Sequence, residues 1–311
     1  SQIEVIVCDH HLASDMLPNA YAILNPKRKE CSYPNPNLSG CGVGFKLIQA
    51  VSQHLGLRED ESYQYLDFVA ISIACDMVPV IGENRCLAYH GLRLLEKANR
   101  PGIKIILEQS GLLEKIEKHS HVLNFQDLGF VIGPKINAAG RLGHAFDAVR
   151  LLLAKSSADA SLSYENLLSL NSQRRLYQEK VIDDIRLDLI NNPEIKNDNV
   201  LIFHNESWHK GVVGIAASKM VEQHFKPCII FSGDGEILSG SARTIPGLNI
   251  YEAIYSCKQY LLRFGGHNAA AGLSLKQKNL EAFKAALEIS IGKMMTNALA
   301  IPEIKYDAVI D

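Results

Sequence analysis

Ile3-Glu4-Val5-Ile6-Val7-Cys8-Asp9-His10-His11 is the stretch on which the fold turns. Its apolar, β-branched run has the character of a strand buried in a parallel sheet. Three polar side chains follow at the carboxyl end of that strand, the end at which open α/β sheets bind ligands, so Asp9, His10 and His11 are candidate site residues by position. A surface loop that happens to hold two histidines is the plain alternative, and a second feature has to decide between them. A parallel strand also needs neighbours on both sides, and the expectation from residue 3 is that further strands precede this sequence.

Downstream, residues 26–42 are rich in Pro, Asn, Ser and Gly and read as a long loop leading into a helical pattern of Phe45, Leu47, Ile48 and Val51. Leu66 to Val80 is apolar apart from Asp67, Ser72 and Asp76, and its periodicity is compatible with helix or strand. Either way Asp76 is expected in an apolar surround, where a carboxylate has to be paired, coordinated or neutralised. An Asp capping a helix or bound to Arg85 would satisfy that need, and so would a metal. A mixed set of His and carboxylate suits Mn²⁺ or Mg²⁺ better than zinc.

Leu162, Leu167, Leu170, Leu176, Val181, Ile185 and Leu189 recur among charged residues without Gly or Pro, which predicts a long amphipathic helix from about 158 to 190. Asn191-Asn192-Pro193 ends it. A second unit then opens with the strand-like Val200-Leu201-Ile202-Phe203. It continues with a helix near Gly211 to Phe225, a strand at Cys228 to Phe231, a turn at Gly233-Asp234-Gly235 and a strand through Ser241. Residues 301–311 turn strand-like again. The expected fold is α/β, with a catalytic domain over 1–155 containing a parallel sheet, a connecting helix over 156–193, a second α/β domain over 194–292, and the start of a further segment over 293–311.

With 311 residues, 47% of them hydrophobic, the chain can bury more than one core. No apolar run approaches the roughly 20 residues of a membrane span, so no membrane partner is expected. The seven cysteines form no C-x-x-C pair, which argues against a zinc site and for reduced thiols in the cytoplasm. A net charge of −2 gives no global nucleic-acid signature, so any nucleic-acid contact must come from a local basic groove.

Four glycine-bearing segments offer further chemistry. Gly133 to Arg141 reads as a tight turn of small residues with Asn137 inside it and Arg141 at its end. Ser239-Gly240-Ser241-Ala242-Arg243 sets hydroxyls and a guanidinium beside glycine, a combination suited to phosphate. Gly265-Gly266-His267 presents one imidazole beside permissive backbone. His209, in Trp208-His209-Lys210-Gly211, precedes an expected helix N-terminus, which favours anions. Each is also compatible with a structural role.

Taken in order and spacing, these segments resemble RecJ exonucleases of the DHH phosphoesterase family over roughly residues 3–290. The likeness is carried by Val5 to His11, Gly42-Val43-Gly44-Phe45, Ala74-Cys75-Asp76-Met77-Val78-Pro79 and Asn137 to Arg141. In the second domain it is carried by Trp208 to Ile215, Gly240 to Arg243 and Gly265 to His267, which are similar to the DHH-associated domain. The resemblance implies hydrolysis of single-stranded DNA from the 5′ end at a site with two ions, Mn²⁺ or Mg²⁺, in repair and recombination. It gives metal binding to His10 and Asp76 with Asp9 beside them, catalytic roles to His11 and His267, and strand binding to Arg141, Ser241, Arg243, His209 and Asn137. A single-strand-binding protein and a helicase are the protein partners it suggests. Asn268, Cys75 and Cys41 depart from the family's usual small or aliphatic residues. The family also carries an Asp-x-Asp-x-x-Gly motif and a further Asp-bearing strand ahead of Asp-His-His. Neither is in this sequence, so the expectation is an incomplete metal site and an inactive chain as given. The alternatives are a phosphodiesterase acting on short oligonucleotides or cyclic dinucleotides, and a non-catalytic DNA-binding relative.

Overall fold

The computed structural model describes residues 3–13, 16–233, 235–296 and 301–302. The strand expected at 301–311 falls almost entirely outside these residues, as does Asp234 of the expected turn. The chain divides into two compact units, Ser1–Asn171 and Ser172–Asp311. The division falls inside the long helix rather than at the Asn191-Asn192-Pro193 break.

In the first unit β1 (Ile6–Cys8) pairs in parallel with β2 (Ala22–Leu24), Ile6 opposite Ala22. The remainder is helical: α1 (Gly40–His54), α2 (Leu66–Asp76), α3 (Gly82–Glu96), α4 (Pro101–Gln109), α5 (Leu112–Glu117), α6 (Gly133–Leu142) and α7 (Ala145–Leu152). The 26–42 loop ends earlier than its composition suggests. The buried Ser39 side chain accepts a hydrogen bond from the Gly42 N–H at 3.2 Å and caps α1, so Gly42 and Gly44 lie within a helix and not a turn. Leu66 to Asp76 resolves as helix, and its apolar residues fill the core around Val69, Ala70 and Ile73. α3 crosses it closely at Gly91, where a Cβ would stand 2.2 Å from the Leu66 carbonyl oxygen. Met77, in the left-handed conformation, ends α2.

Gly133 to Arg141 is the main local surprise. Instead of a turn it forms α6, continuing directly from a π-helical stretch at Asp127–Ile132. Pro134 sits in the first turn, where its missing N–H is harmless. Gly133 is small because Cys75 Sγ would lie 2.7 Å from a Cβ there.

α8 (Ser157–Asn191) is the predicted long helix. Ala160, Tyr164 and Leu167 join the first unit's core, and Val181, Ile182, Ile185 and Leu189 are buried further on. The apolar stripe is not continuous, since Leu162 and Leu176 are exposed.

The second unit is a five-stranded sheet in the order β3-β4-β5-β7-β6, formed by β3 (Leu201–Asn205), β4 (Cys228–Ser232), β5 (Ile237–Arg243), β6 (Leu261–His267) and β7 (Ala270–Lys276). β3 and β4 run parallel, joined through α9 (Lys210–His224), and the other pairings are antiparallel. Every residue of β4 is buried, the apolar run Cys228–Phe231 and Ser232 after it. α10 (Ile250–Ser256) and α11 (Leu280–Met294) complete the core, where Phe231 and Phe283 meet edge to face. All seven cysteines are free thiols. Among the described residues no helix is long and apolar enough to cross a membrane.

Candidate functional site

Asp9, His10 and His11 leave the carboxyl end of β1 as their pattern predicts, and the Asp9 N–H extends the ladder to the Leu24 carbonyl at 3.0 Å. Asp9 then folds the turn. Its Oδ1 accepts from the His10 N–H at 2.8 Å and the His11 N–H at 3.2 Å, and meets His11 Nδ1 at 2.7 Å. Burial alone would raise the Asp9 pKa, but these hydrogen bonds outweigh it and lower it. Asn25, at the end of β2, secures the loop by donating to the His11 carbonyl at 2.9 Å. Asn25 was not singled out in sequence, because its use depends on a strand too short to read.

This turn aims His10 at α2. His10 Nε2 lies 3.3 Å from Asp76 Oδ2, with the imidazole 16% and the carboxylate 40% exposed. The environment expected for Asp76 is therefore corrected. The apolar residues before it on α2, from Val69 to Ala74, face the core, while Asp76, the last residue of α2, reaches solvent as Met77 beside it does. The buried carboxylate of that segment is Asp67, paired with Arg100 at 2.6 Å. For Asp76 the electrostatic demand comes from the helix end, where the carbonyl dipoles disfavour a negative charge and call for a cation. Burial lowers the His10 pKa, the opposing attraction of Asp76 notwithstanding, which favours the neutral, metal-ligating imidazole. Gly40 at the start of α1 leaves room for that ring, since a Cβ there would stand 3.3 Å from His10 Cδ2.

Two observations fit a divalent cation at this corner. Nitrogen and carboxylate donors face each other, and among the described residues His10 Nδ1 is buried without a hydrogen-bond partner. Among the described residues no three His, Cys, Asp or Glu side chains converge, and His10 and Asp76 are the two donors that face each other at this corner. A cavity of about 430 Å³ adjoins it, lined by Phe68, Ile71, Ser72, Asp76, Asn137 and Leu152 among others. Asn137 thus meets the Asp76 corner, and Arg141 lies one helical turn further along α6 on the same face.

The remaining candidates sit on the second unit. Ser241 and Arg243 share one face of β5, two residues apart, and the Arg243 guanidinium is held by Ser241 Oγ at 2.8 Å and by the Ala242 carbonyl at 2.7 Å. Arg243 is opposite Ala270, and Ala270 is opposite His267, which sets His267 two strands away in the same row. His267 is exposed at the β6–β7 hairpin, and its Nδ1 accepts the Ala269 N–H at 3.4 Å. Gly214, in the second turn of α9, packs on this face. A Cβ there would come within 2.8 Å of Ser241 Oγ and 2.9 Å of an Arg243 terminal nitrogen. His209 caps α9, its Nδ1 accepting the Gly211 N–H at 3.0 Å. The role of Gly214 was within reach of sequence, since it belongs to the Trp208 to Ile215 motif.

Comparison with known proteins accounts for both halves. The family model for the DHH family, N-terminal domain, matches residues 1–73, and that for the DHHA1 domain matches residues 197–293. The chain is thus similar to the DHH family over its first 73 residues and to the DHHA1 domain over residues 197–293. Its curated relatives include the single-stranded-DNA-specific exonuclease RecJ of Bacillus subtilis, 34% identical over 99% of this chain and 38% of the relative. RecJ of Escherichia coli is 36% identical over 98% and 55% respectively. The chain thus spans about half the length of the relatives it matches, or less. Among solved structures, RecJ from Thermus thermophilus in complex with Mn²⁺ superposes with a TM-score of 0.79 at 29% identity, covering 94% of this chain and 41% of that one. An exonuclease RecJ bound to manganese gives 0.73 at 28% identity, covering 97% and 74%.

Proposed function

We propose that the protein hydrolyses single-stranded DNA from its 5′ end with the help of Mn²⁺ or Mg²⁺. The observation that carries this reading is the His10–Asp76 pair, set at the end of a strand and a helix beside Asn137. The RecJ relatives, named as single-stranded-DNA-specific exonucleases and seen with Mn²⁺ or Mg²⁺, support it.

His10 and Asp76 would hold metal, with Asp9 fixing the loop that presents His10. Bound divalent ions supply positive charge to the scissile phosphate and a lowered pKa to water. Arg141 and Asn137 orient the phosphate chain at the same corner through charge-assisted and amide hydrogen bonds. Ser241, Arg243 and His209 bind the terminal 5′-phosphate, which carries more charge than an internal diester and so gains most from a guanidinium. His11, exposed and paired with Asp9, and His267, which extends the Arg243 row, are the remaining catalytic candidates. Free thiols suit a reducing cytoplasm, and single strands would reach the enzyme from a helicase and a single-strand-binding protein.

The test uses the protein at the length of its RecJ relatives, of which this chain spans about half, and oligonucleotides labelled at either end. With Mn²⁺ present, the 5′ label should appear first in mononucleotide, the 3′ label should persist in shortening fragments, and blunt duplex should survive. Release from the 3′ end first, or equal digestion of duplex, would overturn the reading.

A further inference from the structure

The sequence motifs leave α8 without a chemical role, yet two of its side chains grip the turn that carries His209. The Tyr177 ring stacks on the His209 imidazole with planes 7° apart and centroids 5.6 Å apart, an offset parallel stack. Seven residues on, Asp184 accepts a hydrogen bond from Trp208 Nε1 at 2.8 Å. Residues seven apart in a helix share a face, so one face of α8 holds two consecutive side chains of the turn before α9. All four residues belong to the second unit. Trp208 is 7% exposed, whereas Tyr177 is 44% exposed, more than a core-filling role for its ring requires.

The remaining freedom of the imidazole is removed from the other side. Nδ1 accepts the Gly211 N–H, so in the neutral ring the proton resides on Nε2. Stack and hydrogen bond together define the plane, the tautomer and therefore the direction of a single N–H donor, just before the helix whose second turn touches Ser241 and Arg243. Fixing the donor of a ligand-binding histidine through its other nitrogen and its ring face is a device that supports recognition rather than folding alone.

We infer that Tyr177 is a positioning residue for strand binding, holding the His209 ring so that Nε2–H donates to a phosphate oxygen of the DNA. The inference rests on the reading of His209 as a strand ligand, and the experiment separates the two. Steady-state constants on a 5′-phosphorylated single strand are measured in the protein at the length of its RecJ relatives, of which this chain spans about half, for wild type, Tyr177→Ala, Tyr177→Phe, His209→Ala and the Tyr177→Ala/His209→Ala double variant. Thermal midpoints check that each is folded.

Tyr177→Ala should raise KM about fivefold with kcat within about twofold, the scale of one aromatic stack. Tyr177→Phe should restore the wild-type KM, because the ring and not the hydroxyl makes the stack. In the His209→Ala background, loss of the Tyr177 ring should add nothing further. If His209→Ala itself leaves KM unchanged, the strand-ligand reading of His209 fails. If His209→Ala raises KM while Tyr177→Ala is silent, or acts with full effect in the double variant, the positioning role is overturned.

Discussion

The two units solve the problem of placing a charged side chain in opposite ways. In the first, the His10–Asp76 corner is assembled from ends: the end of a short strand, a turn folded by Asp9, and the last residue of α2. β1 is three residues long and Ile6 on it is half exposed. In the second, Ser241 and Arg243 ride on β5 in a five-stranded sheet, with fully buried β4 on one side and β7 on the other. The place of Arg243 is set by backbone register and its guanidinium by Ser241 Oγ and the Ala242 carbonyl, whereas His10 is presented by a turn that Asp9 folds. A sheet can hold an anion-binding face by itself. The His10–Asp76 corner, made of element ends, has no such frame, and Asp76 stands at the negative pole of a helix, where a cation would offset it.

The contrast breaks most readily at the metal corner. Asp76→Asn and His10→Ala should each reduce metal-dependent cleavage by at least about a hundredfold, in keeping with the several kcal/mol that ion-mediated charge stabilisation contributes. Both should retain the wild-type circular dichroism spectrum and bind Mn²⁺ more weakly in calorimetric titration. Wild-type turnover in either variant would remove that residue from the metal assignment.

Asp67 lies nine residues earlier on the same helix and should behave in the reverse sense. Its carboxylate is buried against Arg100, so Asp67→Ala leaves a guanidinium without its partner and should cost about 3 kcal/mol of stability in a denaturant titration. Mn²⁺ affinity of the folded fraction should not change. A stable Asp67→Ala protein with weakened Mn²⁺ binding would show that the roles of the two aspartates have been exchanged.

The smallest effect is expected on the second unit. In Gly214→Ala the new methyl would press on Ser241 Oγ and on the end of Arg243, both of which can rotate away. The fold should survive, and KM should rise about threefold, the cost of pushing one side chain off its preferred rotamer. An unchanged KM would mean that the Arg243 pose on α9 does not matter to the strand.

How far the sequence reveals these arrangements follows from the distance over which each is determined. β1 and the Asp9 to His11 turn are legible because a strand and the residues after it are contiguous, whereas the burial that the apolar run predicts is not found, Val5 and Ile6 being half exposed. The α9–β4–β5 succession is legible for the same reason. Gly133 to Arg141 reads as a turn because Gly, Pro and Ala imitate one, yet Pro tolerates a helix's first turn and the alanines pack in the core. The exposure of Asp76 is hidden because apolar neighbours in sequence say nothing of where a helix stops, and here the stop comes at Met77. The Tyr177–His209 stack joins residues 32 positions apart and exists only once α8 lies along its own unit.

The proposed function gives recognition of the 5′-phosphate to the Arg243 guanidinium on the sheet of the second unit. The most direct measurement compares initial rates on 5′-phosphorylated and 5′-hydroxyl single strands for wild type and Arg243→Ala. Loss of a charge-assisted hydrogen bond should reduce the preference for the phosphorylated end about tenfold, while Mn²⁺ affinity stays as in wild type. An unchanged ratio of the two rates would contradict the account.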